Sequence, residues 1–176
     1  MKTTGVVRRI DELGRIVIPK EIRKTLRIRD GESLEIFTEN DNIILKKFSV
    51  MSKIEDYADK FTESIYSFIK YNIIVTDTDN IIAFSGPLKK DYLNKPISDY
   101  LHNCISRRDN MHEKYKKRIN LTENEGVEGT YAISTIVADG DAVGLVVILS
   151  EDNVVTEVDM RVCQIAARFL AKALED

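Results

Sequence analysis

The sequence has no tryptophan, only three prolines and two cysteines, and no long apolar run. Cys104 and Cys163 each sit inside an apolar-periodic segment, and two isolated cysteines do not make the disulfide framework of a small secreted domain. A reducing interior is expected. The longest apolar run, around Val143 to Leu149, is far too short to cross a bilayer. The opening MKTTGVVRRIDELG lacks the apolar core of a signal peptide. A soluble, cytoplasmic protein with no membrane partner is the expectation. Residues fit for metal or nucleophilic chemistry are equally scarce. His102, Cys104 and His112 are close in sequence, but His102 and Cys104 lie two apart on a predicted helix and do not share a face. A zinc site needs four ligands in recognisable pairs, and those are missing. Both cysteines therefore read as buried small hydrophobes. Neither a metal site nor catalysis is expected.

What the sequence does have is unevenly placed charge. Its 176 residues carry a formal net charge of -3. Over residues 1–29, nine basic side chains (Lys2, Arg8, Arg9, Arg15, Lys20, Arg23, Lys24, Arg27, Arg29) face three acidic ones (Asp11, Glu12, Glu21). That local excess of +6 leaves -9 for the remainder. Such asymmetry suggests one end that meets a polyanion and another with a different task.

The basic end is laid over strand-like patterns. Gly5 to Ile10 reads as a short strand, Asp11 to Gly14 as a turn, and Arg15 to Ile18 as a second strand with three consecutive β-branched residues. Pro19 suits the first position of a helix, where its missing N–H costs nothing. Ile22 and Leu26 share one face of that helix, while Arg23 and Lys24 project elsewhere on its exposed side. Asp30-Gly31 closes the segment. Leu34, Ile36 and Thr38 then alternate, Asn40-Asp41-Asn42 turns the chain, and Ile43 to Lys47 returns as the partner of a hairpin. A unit below roughly 60 residues buries too little surface to stand alone, and hairpin edges invite aggregation. Dimerisation, with strands of two copies completing one barrel, is the expected remedy.

Ser49 to Lys53 reads as a short polar linker. Beyond it, Ile54, Tyr57, Ala58, Phe61, Ile65, Phe68 and Ile69 recur at helical spacing. Strands are predicted at Tyr71 to Thr76 and Ile81 to Ser85, and a helix opened by Pro96 carries Ile97, Tyr100, Leu101, Cys104 and Ile105. The stretch Arg107 to Arg118 is highly charged and has no assigned element. Two further strands, Thr130 to Ala138 and Ala142 to Leu149, flank the turn Asp139-Gly140-Asp141, and a last amphipathic helix runs from Val158 to Leu174. This is the pattern of an α+β sensor-like domain. Its first and last helices have wide apolar faces, suited either to covering their own sheet or to packing against a second copy as a four-helix bundle.

Residues 5–48, with DELGRIVIP followed by LEIF and IILKK, resemble the AbrB-type transition-state regulators of spore-forming bacteria. KKDYLNKPIS at 89–98 and VVILSEDN at 146–153 extend the likeness, over the whole chain, to sporulation regulators of that type. The resemblance implies a mainly α+β protein. An intertwined, dimeric swapped-hairpin β-barrel would occupy residues 1–50, a linker 51–53 and a GAF-like regulatory and oligomerisation domain 54–176. It also implies a homo-tetramer, paired through the N-terminal domain and through the helices at 54–69 and 158–174. Its implied role is a sequence-selective transcription factor, activator and repressor, in the developing forespore and associated with the nucleoid. Carried residue by residue, the DNA-contacting positions fall on Arg8, Arg15, Arg23 and Lys24, with Arg9 as a helper. Lys24 departs from the arginine usual there. Its ammonium binds a phosphate as a point charge but lacks the bidentate fork used on guanine.

The expected partner is therefore double-stranded DNA, bound largely by neutralising phosphates and releasing counterions. GAF-like domains often cradle a small ligand. Asn94-Lys95 resembles the opening of a cyclic-nucleotide motif, but its downstream phenylalanine and Asp-Glu pair are missing, so no cofactor is expected and any effector is left open. Two other readings stand beside the regulator. The same basic barrel serves as the DNA-binding half of antitoxins, usually followed by a short disordered tail, whereas residues 54–174 are periodic enough for a folded core. A pure ligand sensor, whose barrel only dimerises, is the other.

Overall fold

The computed structural model describes residues 5–48, Met51 and 55–175. The chain divides into two compact units, Met1–Phe48 and Ser49–Asp176. The linker expected at 49–53 lies outside the described residues except for Met51, as do Lys2 and Ile54.

The first unit holds α1 (Lys20–Thr25), β1 (Leu34–Glu39) and β2 (Asn42–Lys47). Strands β1 and β2 pair antiparallel from Leu34↔Lys47 to Glu39↔Asn42. Between them Asn40 and Asp41 take φ of 44° and 65°. Positive φ at both central residues is what a two-residue hairpin requires to match strand twist, and Asn and Asp tolerate it. Pro19 is the cap before α1 rather than its first residue, with ψ of 145°. The residue's fixed φ suits either place.

The strands expected at 5–10 and 15–18 are not formed. Both segments are irregular, joined by a turn in which Asp11 N–H donates to the Arg15 carbonyl at 3.1 Å. Their β-branched residues favour extended backbone, but a strand also needs a ladder partner, and a single chain supplies none here. Consequently Val7 is 91 % and Val17 73 % exposed. Among the described residues of this unit only Pro19 is buried.

The second unit is built on a five-stranded antiparallel sheet in the order β4-β3-β7-β6-β5. Its elements are α2 (Glu55–Ile69), β3 (Asn72–Thr76), β4 (Ile81–Ser85), α3 (Lys89–Tyr92), α4 (Asp99–Arg107), β5 (Asn110–Asn120), β6 (Gly126–Ala138), β7 (Asp141–Ser150) and α5 (Glu157–Glu175). Period-two alternation splits the central strands between two cores. Ile73, Val75, Val146 and Ile148 join one core with Ala58, Cys163, Ala166 and Leu170 from α2 and α5. Ile74, Leu145, Val147 and Leu149 join the other with Tyr92, Leu101, Cys104 and Ile105 from α3 and α4. Buried on both faces, β3 and β7 read as continuous apolar runs.

Three details depart from expectation. Pro96 does not open a helix; it bridges to Asn80, and α4 starts at Asp99 under Ser98, whose Oγ accepts from Leu101 N–H at 3.2 Å. A side-chain acceptor satisfies an orphan N–H that proline cannot. The short α3 was not anticipated. Most of the charged stretch 107–118 is strand: β5 lies at the sheet edge with Lys114 to Arg118 exposed, and its register shifts between Glu113 and Lys117. Lysines and a bulge are common protection for an open edge, and they mask the alternation that marks a half-buried strand.

Candidate nucleic-acid interface

All five expected contact residues lie in the first unit. The turn Asp11 to Arg15 is knitted by one carboxylate. Asp11 Oδ1 accepts from Leu13 N–H at 3.0 Å and Arg15 N–H at 2.8 Å, while Oδ2 accepts from Arg15 Nε–H at 2.7 Å. Gly14, at φ of 76°, supplies the left-handed step. The Arg15 backbone N–H, then its guanidinium, and least the Leu13 N–H hold the Asp11 carboxyl below its ordinary value of 3.8, against an opposing effect of desolvation. Among the described residues the Arg15 side chain is bound only through Nε, and it is 73 % exposed. Its two terminal nitrogens carry no hydrogen bond among the described residues, and they are the atoms a phosphate or guanine engages.

Arg8 and Arg9 lie in the irregular segment before this turn, both exposed. Arg8 borders the same apolar groove as Ile16 and Val17. Arg23 and Lys24 are consecutive on α1 and so point about 100° apart, as 3.6 residues per turn dictate. The structure separates their environments, contrary to the shared exposed side expected from sequence. Lys24 is exposed, whereas Arg23 is half-buried, with Nη1 on Asp30 Oδ1 at 2.9 Å and a buried Nε lacking a hydrogen-bond partner among the described residues. Arg8, Arg9 and Lys24 have no ion pair among the described residues. Arg27, Arg29 and Lys47 are each engaged by neighbours, Lys47 with Glu32 at 3.1 Å. Sequence reasoning passed over Asp11 and Asp30 as the groups that orient Arg15 and Arg23. An aspartate opening a glycine turn four residues before an arginine was the available signal for the first.

The groove that Arg8 borders is apolar, about 500 Å³, and lined among others by Val6, Val17, Ile22, Leu26, Ile43 and Leu45. In the second unit, no group of three or more His, Cys, Asp or Glu suited to a metal occurs among the described residues. Cys104 and Cys163 are free and buried. Burial, with Asp109 nearby, pushes the Cys104 thiol up to about 11, and burial pushes Cys163 higher still. Neither is poised as a nucleophile.

Residues 53–175 match the family model described as stage V sporulation protein T C-terminal, transcription factor. Residues 7–52 match that of the antidote-toxin recognition MazE bacterial antitoxins. Stage V sporulation protein T of Bacillus subtilis (strain 168) is 45 % identical over 177 aligned residues, covering 99 % of each chain. The transition state regulatory protein AbrB of the same organism is 56 % identical over 48 residues, 27 % of this chain and 50 % of that one. Among solved structures, the GAF domain region of a Geobacter sulfurreducens PCA membrane protein superposes with a TM-score of 0.56 at 14 % identity. It covers 72 % of this chain and 95 % of that one, a likeness of fold.

Proposed function

The chain belongs to the stage V sporulation protein T family of transcription factors, and we propose that it is a sequence-selective DNA-binding regulator of forespore genes, acting as both activator and repressor. Residues 1–50 form the DNA-binding domain, and residues 54–176 the regulatory and oligomerisation domain. Arg8, Arg9, Arg15, Arg23 and Lys24 contact the duplex. Arg15, held at its inner nitrogen by Asp11, presents a fork to phosphate or guanine; Lys24 serves phosphate alone. Arg23 exchanges Asp30, whose side chain is 96 % exposed, for DNA.

The observation that carries this reading is a basic unit with an open apolar groove and almost no buried core. A second copy filling the groove would complete one barrel and double every basic side chain on it. Pairing through α2 and α5 of the second unit then gives a tetramer. The setting is the cytoplasm, at the nucleoid; among the described residues no helix is long and apolar enough to cross a membrane. The antitoxin reading has the match at residues 7–52 in its favour. Against it, residues 55–175 carry two packed cores instead of a tail that folds on a toxin.

A mobility-shift titration of full-length protein on promoter duplexes tests the proposal. Arg15→Ala is expected to weaken specific and nonspecific duplexes alike by about 1–3 kcal/mol, roughly fivefold to 150-fold, with an unchanged thermal melt. Wild-type affinity in that variant would sink the assignment.

A further inference from the structure

The second unit holds a groove with no part in the DNA reading. Strand β6 continues to Ala138, past its last pair with β5 at Asn110↔Ser134. Between this free stretch and the C-terminal half of α5 lies a notch of about 520 Å³. Its small-residue floor includes Ala167, Ala171 and Ser134, and Arg168, Gln164 and Asn110 also line it. It lies on the α5 side of the sheet, away from the core packed under α3 and α4.

The polar groups are unevenly matched. Ser134 is 3 % exposed and commits its hydroxyl proton to Asn110 Oδ1 at 2.6 Å; the Thr135 hydroxyl goes to the Asp109 carbonyl at 2.9 Å. Gln164 Oε1 accepts from Arg161 at 3.4 Å. Asn110 Nδ2 donates one hydrogen to the Arg108 carbonyl at 3.5 Å; left over are its second amide hydrogen, the amide nitrogen of Gln164 and the guanidinium of Arg168, which has no ion pair among the described residues. A donor-rich wall with one cation over an alanine floor suits a planar monoanion carrying a short apolar tail. A dianion is disfavoured, because the site offers one positive charge within a unit that is acidic overall.

We infer that this notch binds a small aliphatic carboxylate, its carboxylate on the fork of Arg168 and the amides of Gln164 and Asn110, its tail over Ala167 and Ala171. The inference is independent of DNA binding, which the duplex titration measures separately. The test uses full-length protein and 4-methylpentanoate as probe, followed by ligand-observed saturation transfer and by amide shifts in nitrogen-labelled protein. Saturable binding with a dissociation constant on the order of 1 mM is expected for so small a ligand, with shifts centred on residues 134, 164, 167 and 171. Arg168→Gln, at an exposed position, should weaken it at least about tenfold, as should replacing the acid by 4-methylpentanamide. Ala171→Leu should fill the floor and abolish it. Non-saturable binding, equal affinity for the amide, an unchanged constant in Arg168→Gln, or shifts centred elsewhere would each overturn the assignment. None of these would affect the DNA reading, which the duplex titration decides separately.

Discussion

Asp11 accepts two backbone N–H groups of its own turn and the Nε–H of Arg15, so a single carboxylate both shapes the loop and aims a guanidinium. The aiming matters more than the ion pair, because an exposed pair adds little stability. A carboxyl lowered in the folded state stabilises the turn above its ordinary value of 3.8 and ceases to do so as pH falls through the depressed one. The Asp11 carboxyl followed by NMR should therefore titrate below 3.8 in the wild type and move back toward that value in Arg15→Ala. A midpoint that ignores the substitution would show that the hydrogen bond does not persist in solution. The thiols shift in the opposite sense. With Cys104 raised to about 11, its neutral form is favoured in the fold, and the stability this gives is lost as pH rises above the ordinary 9.0. Neither Cys104 nor Cys163 should alkylate with iodoacetamide at pH 8 in native protein, and both should in denaturant. Rapid native labelling would contradict their burial.

At the scale of elements, Gly144 allows β7 to lie against β3: a Cβ there would run into the Thr76 carbonyl oxygen. Because that contact is with backbone, neither side can turn away. Gly144→Ala should cost about 3 kcal/mol or more, read as a lower denaturant midpoint, and a midpoint within error of wild type would refute the close approach. Most elements of the second unit were legible in sequence because α2 and α5 keep a helical period, while β3, β4 and β7 are short apolar runs bounded by turn residues. β5 was not, since its exposed edge carries lysines and a bulge in place of alternation, and Pro96 misled because Ser98 does the capping. In the first unit the hairpin and its turn were legible from Asn40-Asp41. The strands at 5–10 and 15–18 were read from propensity alone, which says nothing about where the pairing partner lies. The basic positions were equally plain, whereas the burial of Arg23 and its tie to Asp30 depend on tertiary packing that no local pattern encodes.

At the scale of the whole molecule, each unit leaves apolar surface uncovered. In the second, Phe68 on α2 is 89 % and Ile165 on α5 67 % exposed, while Phe169 stacks on Phe61 with ring centroids 5.0 Å apart. Phe61 and Phe169 tie the two helices together, so Phe68 and Ile165 belong to a face the chain itself does not use. If that face joins two DNA-binding dimers, DNA with two operators gains avidity: the second contact becomes intramolecular and raises affinity by about 10² to 10⁴ without new contacts. The double variant Phe68→Asp, Ile165→Asp is expected to halve the mass seen by light scattering and keep its melting profile. It should bind a one-operator duplex like the wild type yet lose the two-operator advantage. The salt dependence on the short duplex should also stay the same, since counterion release counts phosphates contacted by one dimer. A variant that kept the wild-type mass would refute this face as the contact between dimers. One that halved in mass but kept the two-operator advantage would show that the dimers do not act together on DNA.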